Sequence, residues 1–168
     1  MKKFQMHETV LYGSNGACTI DNVEQGDHGK YYILTPVHKA RTKFMVPVEN
    51  ETLVSRMRPL PSAEAVRDSI DQALSSELVW IDDNGKRKEH AKQILENGSE
   101  FELLVLVRSF HAHKQKVIER GKKTTSSDSS ILRSAQEHIR DEFSIVLNIE
   151  PDEVDRFIDA RAQAVALA

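Results

Sequence analysis

Residues 31–50 read YYILTPVHKARTKFMVPVEN, and this stretch decides how the first third of the chain folds. Two apolar runs, Tyr31-Tyr32-Ile33-Leu34 and Phe44-Met45-Val46 with Val48, flank a basic connection holding His38, Lys39, Arg41 and Lys43. β-branched and aromatic residues suit a pleated, half-buried surface, so the pattern predicts a β-hairpin. Upstream, Thr9 to Tyr12 is predicted as a strand, and Ser14-Asn15-Gly16 supplies a turn that tolerates positive φ. Ala17 to Val23 then returns as a second strand, and Gly26-Asp27-His28-Gly29 makes the next turn. Arg56 to Leu60 supplies a last short strand. Four or five short strands are too few for a sandwich, so a small SH3- or Tudor-like β-barrel is expected over residues 1–60.

From residue 61 the period changes. Pro59 and Pro61 close the β segment, and Ser62 is a candidate N-cap with Glu64 in the first turn. Ala65 to Leu78 is predicted helical, with Val66, Ile70, Ala73 and Leu74 on one stripe. A polar loop at Asp82-Asp83-Asn84-Gly85 precedes a shorter helix from Arg87 to Glu96, which Asn97-Gly98 stops. Ser99 caps a third helix that runs through Phe101–Val107 to Arg120, and Gly121 ends it. Ser127 or Asp128 caps a fourth, carrying Ile131, Leu132, Ala135, Ile139, Phe143, Val146 and Leu147. Pro151 opens a last helix with Val154, Phe157, Ile158 and Val165 inward. The expectation for residues 61–168 is an all-α bundle of about five helices, making the whole α+β by segregated domains.

Bulk properties narrow the function. No apolar run approaches the roughly 20 residues of a membrane span. MKKFQMHETV has no apolar h-region, so export is not expected and a cytoplasmic protein is. Cys18 is the only cysteine, which excludes an internal disulfide and a multi-cysteine zinc site. The net charge of −3 is unevenly spread. Residues 61–85 carry one basic and six acidic side chains, residues 86–123 ten and five, and residues 124–168 four and nine. A basic island therefore lies between two acidic segments, and local clustering is what binds phosphates.

A search for chemistry leaves little. No P-loop, dinucleotide fingerprint or nucleophile elbow is present. His111 and His113 point about 200° apart on a helix and cannot share one metal ion, so they read as surface histidines. Cys18 reads as a small core residue. The pairs Asp82-Asp83, Asp141-Glu142 and Asp152-Glu153 read as a loop, an exposed helix face and first-turn dipole partners. No enzyme, cofactor, metal or small-molecule substrate is expected.

Two features remain. One is the basic island, Lys86, Arg87, Lys88 and Lys92, then Lys114, Lys116, Arg120, Lys122 and Lys123. The other is Trp80, the only tryptophan. It would either plug the apolar space under the first helix with Leu78 and Ile81, or act as an apolar wedge beside phosphate-binding cations.

The order of elements resembles the CarD/CdnL family of bacterial transcription regulators, whose N-terminal module is shared with the transcription–repair coupling factor. The matching residues are Thr9-Val10-Leu11-Tyr12 with Asn15-Gly16-Ala17, Tyr31-Tyr32-Ile33-Leu34, Met45-Val46-Pro47-Val48-Glu49-Asn50 and Arg58-Pro59-Leu60. Downstream, Trp80, Arg87, Asn97-Gly98 and the helix starting at Ser127-Asp128 resemble the helical domain. The resemblance implies a Tudor-like domain that binds the RNA polymerase β subunit, here through Tyr32, Lys43, Phe44 and Met45. It also implies a helical domain on promoter DNA, with Trp80 as wedge and Lys86, Arg87, Lys88, Lys92, Lys122 and Lys123 on phosphates. The chain would then be a monomeric bacterial regulator, nucleoid-associated through the polymerase, that stabilises the open complex. The alternative is a polymerase-binding adaptor without functional DNA contact, which the net acidity and Asp82-Asp83 favour.

Overall fold

The β segment lies at the start of a chain that folds as two compact units, one ending at Pro61 and one beginning at Ser62. The structure is a computed structural model and describes residues 3–167. Met1 and Lys2, which open the MKKFQMHETV segment, lie outside the described residues.

In the first unit, β1 (Thr9–Tyr12), β2 (Ala17–Gly26), β3 (Gly29–Pro36), β4 (Phe44–Pro47) and β5 (Met57–Pro59) form one antiparallel sheet in the order β4-β3-β2-β1-β5. The expected hairpin is β3–β4, in register Tyr31↔Pro47, Tyr32↔Val46, Ile33↔Met45 and Leu34↔Phe44. Gly26 pairs with Gly29 around a tight turn in which Gly29 has φ +111°, a conformation that strains any side chain. Asp21 is an extra residue in β2, where the register against β3 shifts between Ile20 and Asn22. Such a bulge bends a strand and sharpens its twist. Val10, Cys18, Ile20, Tyr32, Leu34 and Val46 form the core with Phe4, Val54 and Met57.

The expected barrel is corrected here to an open sheet. Among the described residues β4 and β5 are its two edges and do not pair. The short helix α1 (Glu51–Val54) carries the chain from one edge strand to the other. Asn50 starts it by accepting from the Leu53 amide at 3.1 Å, and Val54 is buried in the core.

Among the described residues the second unit holds five α-helices: α2 (Ala63–Ser75), α3 (Asn84–Asn97), α4 (Glu100–Glu119), α5 (Ser126–Leu147) and α6 (Val154–Leu167). Ser62 caps α2 as expected, and Ser99 with Glu102 forms a full capping box on α4. Gly121, at φ +70°, ends α4 with its amide on the Ile118 carbonyl and the Lys122 amide on Val117. Val66, Ile70, Ala91, Leu103, Leu104, Leu132, Ile139 and Phe143 are among the buried residues of a single core.

Four local expectations change. Helix α2 stops at Ser75 rather than Leu78, because the Ala73 carbonyl accepts from Ser76 Oγ at 2.8 Å and from Arg108. Helix α3 begins at Asn84 rather than Arg87: Asp83, read as loop, is its N-cap and accepts from the Lys86 amide at 2.8 Å. The cap of α5 is Thr125, not Ser127 or Asp128, since its hydroxyl accepts from the Asp128 amide at 3.1 Å. Val165 faces outward at 39% exposure, while Val154 is buried and Phe157 and Ile158 pack on the core.

Candidate functional sites

The first site is the free edge of β4. The Val48 amide donates to the Lys30 carbonyl at 2.9 Å, so Lys30 and Val48 are a hydrogen-bonded pair. Alternation then turns the backbone N–H and C=O of Met45, and the C=O of Pro47, away from β3 toward the open edge. Proline is tolerated at position 47 for the same reason, because no ladder bond needs its missing N–H.

The side chains of the expected docking set separate. Met45 is 60% exposed. Lys43 is exposed and lies 3.8 Å from Asp21, whose carboxylate also accepts from Thr35 Oγ1 at 2.6 Å. Phe44 is half-buried, its ring 5.8 Å from Tyr12. Tyr32, by contrast, is buried at 3% exposure, edge-on to Phe4, with its hydroxyl accepting from the Phe4 amide at 3.3 Å. Its side chain is a core group and does not belong to the edge surface; opposite Val46, it points to the buried face of the sheet.

The second site is a node in the helical unit, built where the 76–83 segment meets α3, α4 and the start of α5. Arg87 sits at its centre, 6% exposed. Nε donates to Asp128 Oδ1 at 2.9 Å and Nη2 to Oδ2 at 3.1 Å. Nη1 donates to the Ile81 and Asp82 carbonyls at 2.8 and 3.1 Å, and Nη2 also to Asn84 Oδ1 at 3.2 Å. A guanidinium has five N–H donors, and all five are engaged inside the protein. Arg87 therefore holds no donor for a phosphate, which corrects its expected place in the DNA-contacting set.

Trp80 stacks on His113, with ring centroids 3.6 Å apart and planes 9° apart. Its ring also meets Phe110 edge-on at 5.2 Å and lies 4.6 Å from the Arg87 guanidinium carbon. The neighbouring Val79 amide is tied to the buried Ser109 hydroxyl at 3.0 Å. Leu78 and Val79 are exposed, at 46% and 56%, so Leu78 is not part of the plug expected with Trp80. His113 is thus a partner of Trp80 rather than a free surface histidine. His111, two residues away, lines a different cleft on α4.

Electrostatics match this packing. Burial alone would raise the Asp128 carboxyl, but hydrogen bonds from Arg87 and Thr125 and the nearby Arg87 charge outweigh it and hold it below the usual range. Burial lowers the His113 imidazole; the Arg87 and Lys116 cations add to that, against Asp128 and Asp82. In the β unit, burial pushes the Cys18 thiol up to about 12, so it is inert at neutral pH.

Lys86, Lys88, Lys92, Lys122 and Lys123 are all exposed. Lys88 and Lys92 are one turn apart on α3, facing away from the buried Arg87 and Ala91. The Arg87–Asp128 pair ties the first turn of α5 to α3. No local signal announces that pair, whose members are 41 residues apart. Among the described residues there is no group of three His, Cys, Asp or Glu suited to a metal ion. Nor is any described helix long and apolar enough to cross a membrane.

Comparison with curated proteins finds no match to this chain. The family model of the CarD-like/TRCF RID domain matches residues 4–59, the span of the open sheet. The match covers about a third of the chain and makes the N-terminal unit similar to the RNA polymerase-interacting domain of CarD-like proteins.

Proposed function

We propose that the chain docks on the RNA polymerase β subunit through the β4 edge and contacts promoter DNA through the exposed lysines of the helical unit, prolonging the open complex. The observation that carries the first half is the free edge itself. Met45 offers an outward N–H and C=O beside an exposed apolar side chain, which suits addition of a partner strand. The domain match supports a polymerase partner, and the matched domain is a non-enzymatic one. Docking contacts come from Lys43, Phe44 and Met45, with Tyr32 acting from beneath.

For DNA, the reading rests on Lys86, Lys88, Lys92, Lys122 and Lys123, with Arg87 as the brace that ties α5 to α3. Trp80 acts as the plug of that brace, and the exposed Leu78-Val79 pair is what meets a partner at this edge. Favouring melted over closed promoter is a population shift set by the difference in affinity for the two states. The adaptor reading draws support from Arg87 being fully engaged and from Asp82-Asp83 beside the island.

A polymerase–promoter footprint and a dissociation assay decide between them. With the full-length protein, open-complex lifetime should lengthen and protection should extend at the upstream edge of the bubble. Retained polymerase binding with no change in lifetime or footprint would leave the adaptor.

A further inference from the structure

Three arginines of the helical unit meet carboxylates in the same manner. Arg87 lays Nε and Nη2 on Asp128, Arg140 does so on Asp155, and Arg161 on Asp71. Arg108 is arranged the other way round. Its Nη1 donates to the Ala73 and Ser76 carbonyls, which occupies both Nη1 hydrogens. Its Nε and Nη2 have no protein acceptor among the described residues. That edge is the one that takes a carboxylate through two parallel N–H···O bonds.

Arg108 stands on the wall of a cleft among α2, α4, α5 and α6 that encloses about 490 Å³. This lies within the size range of small-molecule sites. Leu74, Val107 and Ile158 supply an apolar floor, backed by the buried Ile70, Leu104 and Ile139. The guanidinium is half-buried and held by two backbone carbonyls, so an anion meets it already oriented, which removes an ordering cost. Two acidic groups share the rim. Asp155 is bound by Arg140 at 2.5 Å, and Asp159 is exposed, so water screens its repulsion. His111 and Gln136 complete the polar lining.

We propose that this cleft binds an amphipathic monocarboxylate. Its head sits on the Nε/Nη2 edge of Arg108, and its hydrocarbon body lies over Leu74, Val107 and Ile158. Apart from Leu78, the cleft uses none of the residues proposed for polymerase or DNA contact.

The test is an NMR titration of the full-length protein with decanoate, decylamine and decanol. Decanoate should shift the amides lining the cleft and the Arg108 Nε–H resonance, binding at least about tenfold more tightly than decylamine. Arg108→Gln should weaken decanoate by about tenfold or more and leave decanol unchanged. Because Arg108 also closes α2, a second variant, Ala162→Phe, keeps the guanidinium and fills the cleft from α6; it should weaken decanoate and decanol alike. Equal binding of decanoate and decylamine, shifts confined to another surface, or undiminished decanoate binding in either variant would overturn the proposal.

Discussion

Arg87 shows how a residue can be rightly singled out in a sequence and wrongly used. It lies in the basic island, yet all five of its donors face inward, two of them on the buried Asp128. Breaking a buried pair leaves an uncompensated charge, so Arg87→Met should destabilise the helical unit by about 3–5 kcal/mol. Urea unfolding followed by the fluorescence of Trp80 measures this, and a change within error of wild type would return Arg87 to the surface set. The acid limb of stability follows from the same node. His113 is held below its ordinary 6.5, so just below that pH the unfolded chain binds more protons and stability falls as pH drops. It levels off below the folded-state value. Asp128 is held below 3.8, so its contribution is intact above that value and is lost only as pH falls through its lower folded value. Unfolding midpoints across pH should therefore show two separate declines, and His113→Phe should flatten the upper one alone.

At the level of elements, β4 and the start of α5 carry the lesson. The hairpin was legible because alternation and turn residues are local signals, and Tyr31–Leu34 and Phe44–Val46 pair as the pattern requires. Which strands end up at the edges was not, because edges depend on non-local pairing. Position 45 turns its N–H away from the ladder, so Met45→Pro should leave the sheet folded while removing one edge donor. Retention on the polymerase β-subunit lobe should fall about tenfold or more, with the amide spectrum of β1–β3 preserved. Unchanged retention would take the docking surface away from this edge. The start of α5 lies two or three residues before the expected cap, since Thr125, Ser126, Ser127 and Asp128 are all capable caps. Thr125→Ala should cost about 1 kcal/mol, while Ser127→Ala should cost little; thermal melts of the two separate them.

Over the whole molecule, charge is sorted by packing. α2 and α6, one helix from each acidic segment, lie against each other, and the Arg161–Asp71 pair joins them. The island lysines remain exposed around α3 and the α4–α5 loop. Reversing Lys86, Lys88, Lys122 and Lys123 to Glu in the full chain should shorten open-complex lifetime and lower the salt slope of DNA binding by about 3 to 4. Polymerase binding through the first unit should persist. An unchanged slope would support the adaptor.

The sequence by itself determined the two classes of structure, the position of the change at Pro59–Pro61 and the hairpin, because periodicity, prolines and turn residues act over a few neighbours. It also located the basic island, which is a property of composition. Only the tertiary structure decided what each marked residue does. Tyr32 became core, Arg87 a brace and His113 a stacking partner of Trp80. The reason is physical: side chains of one type are equal in sequence, and burial with partners tens of residues away makes them different.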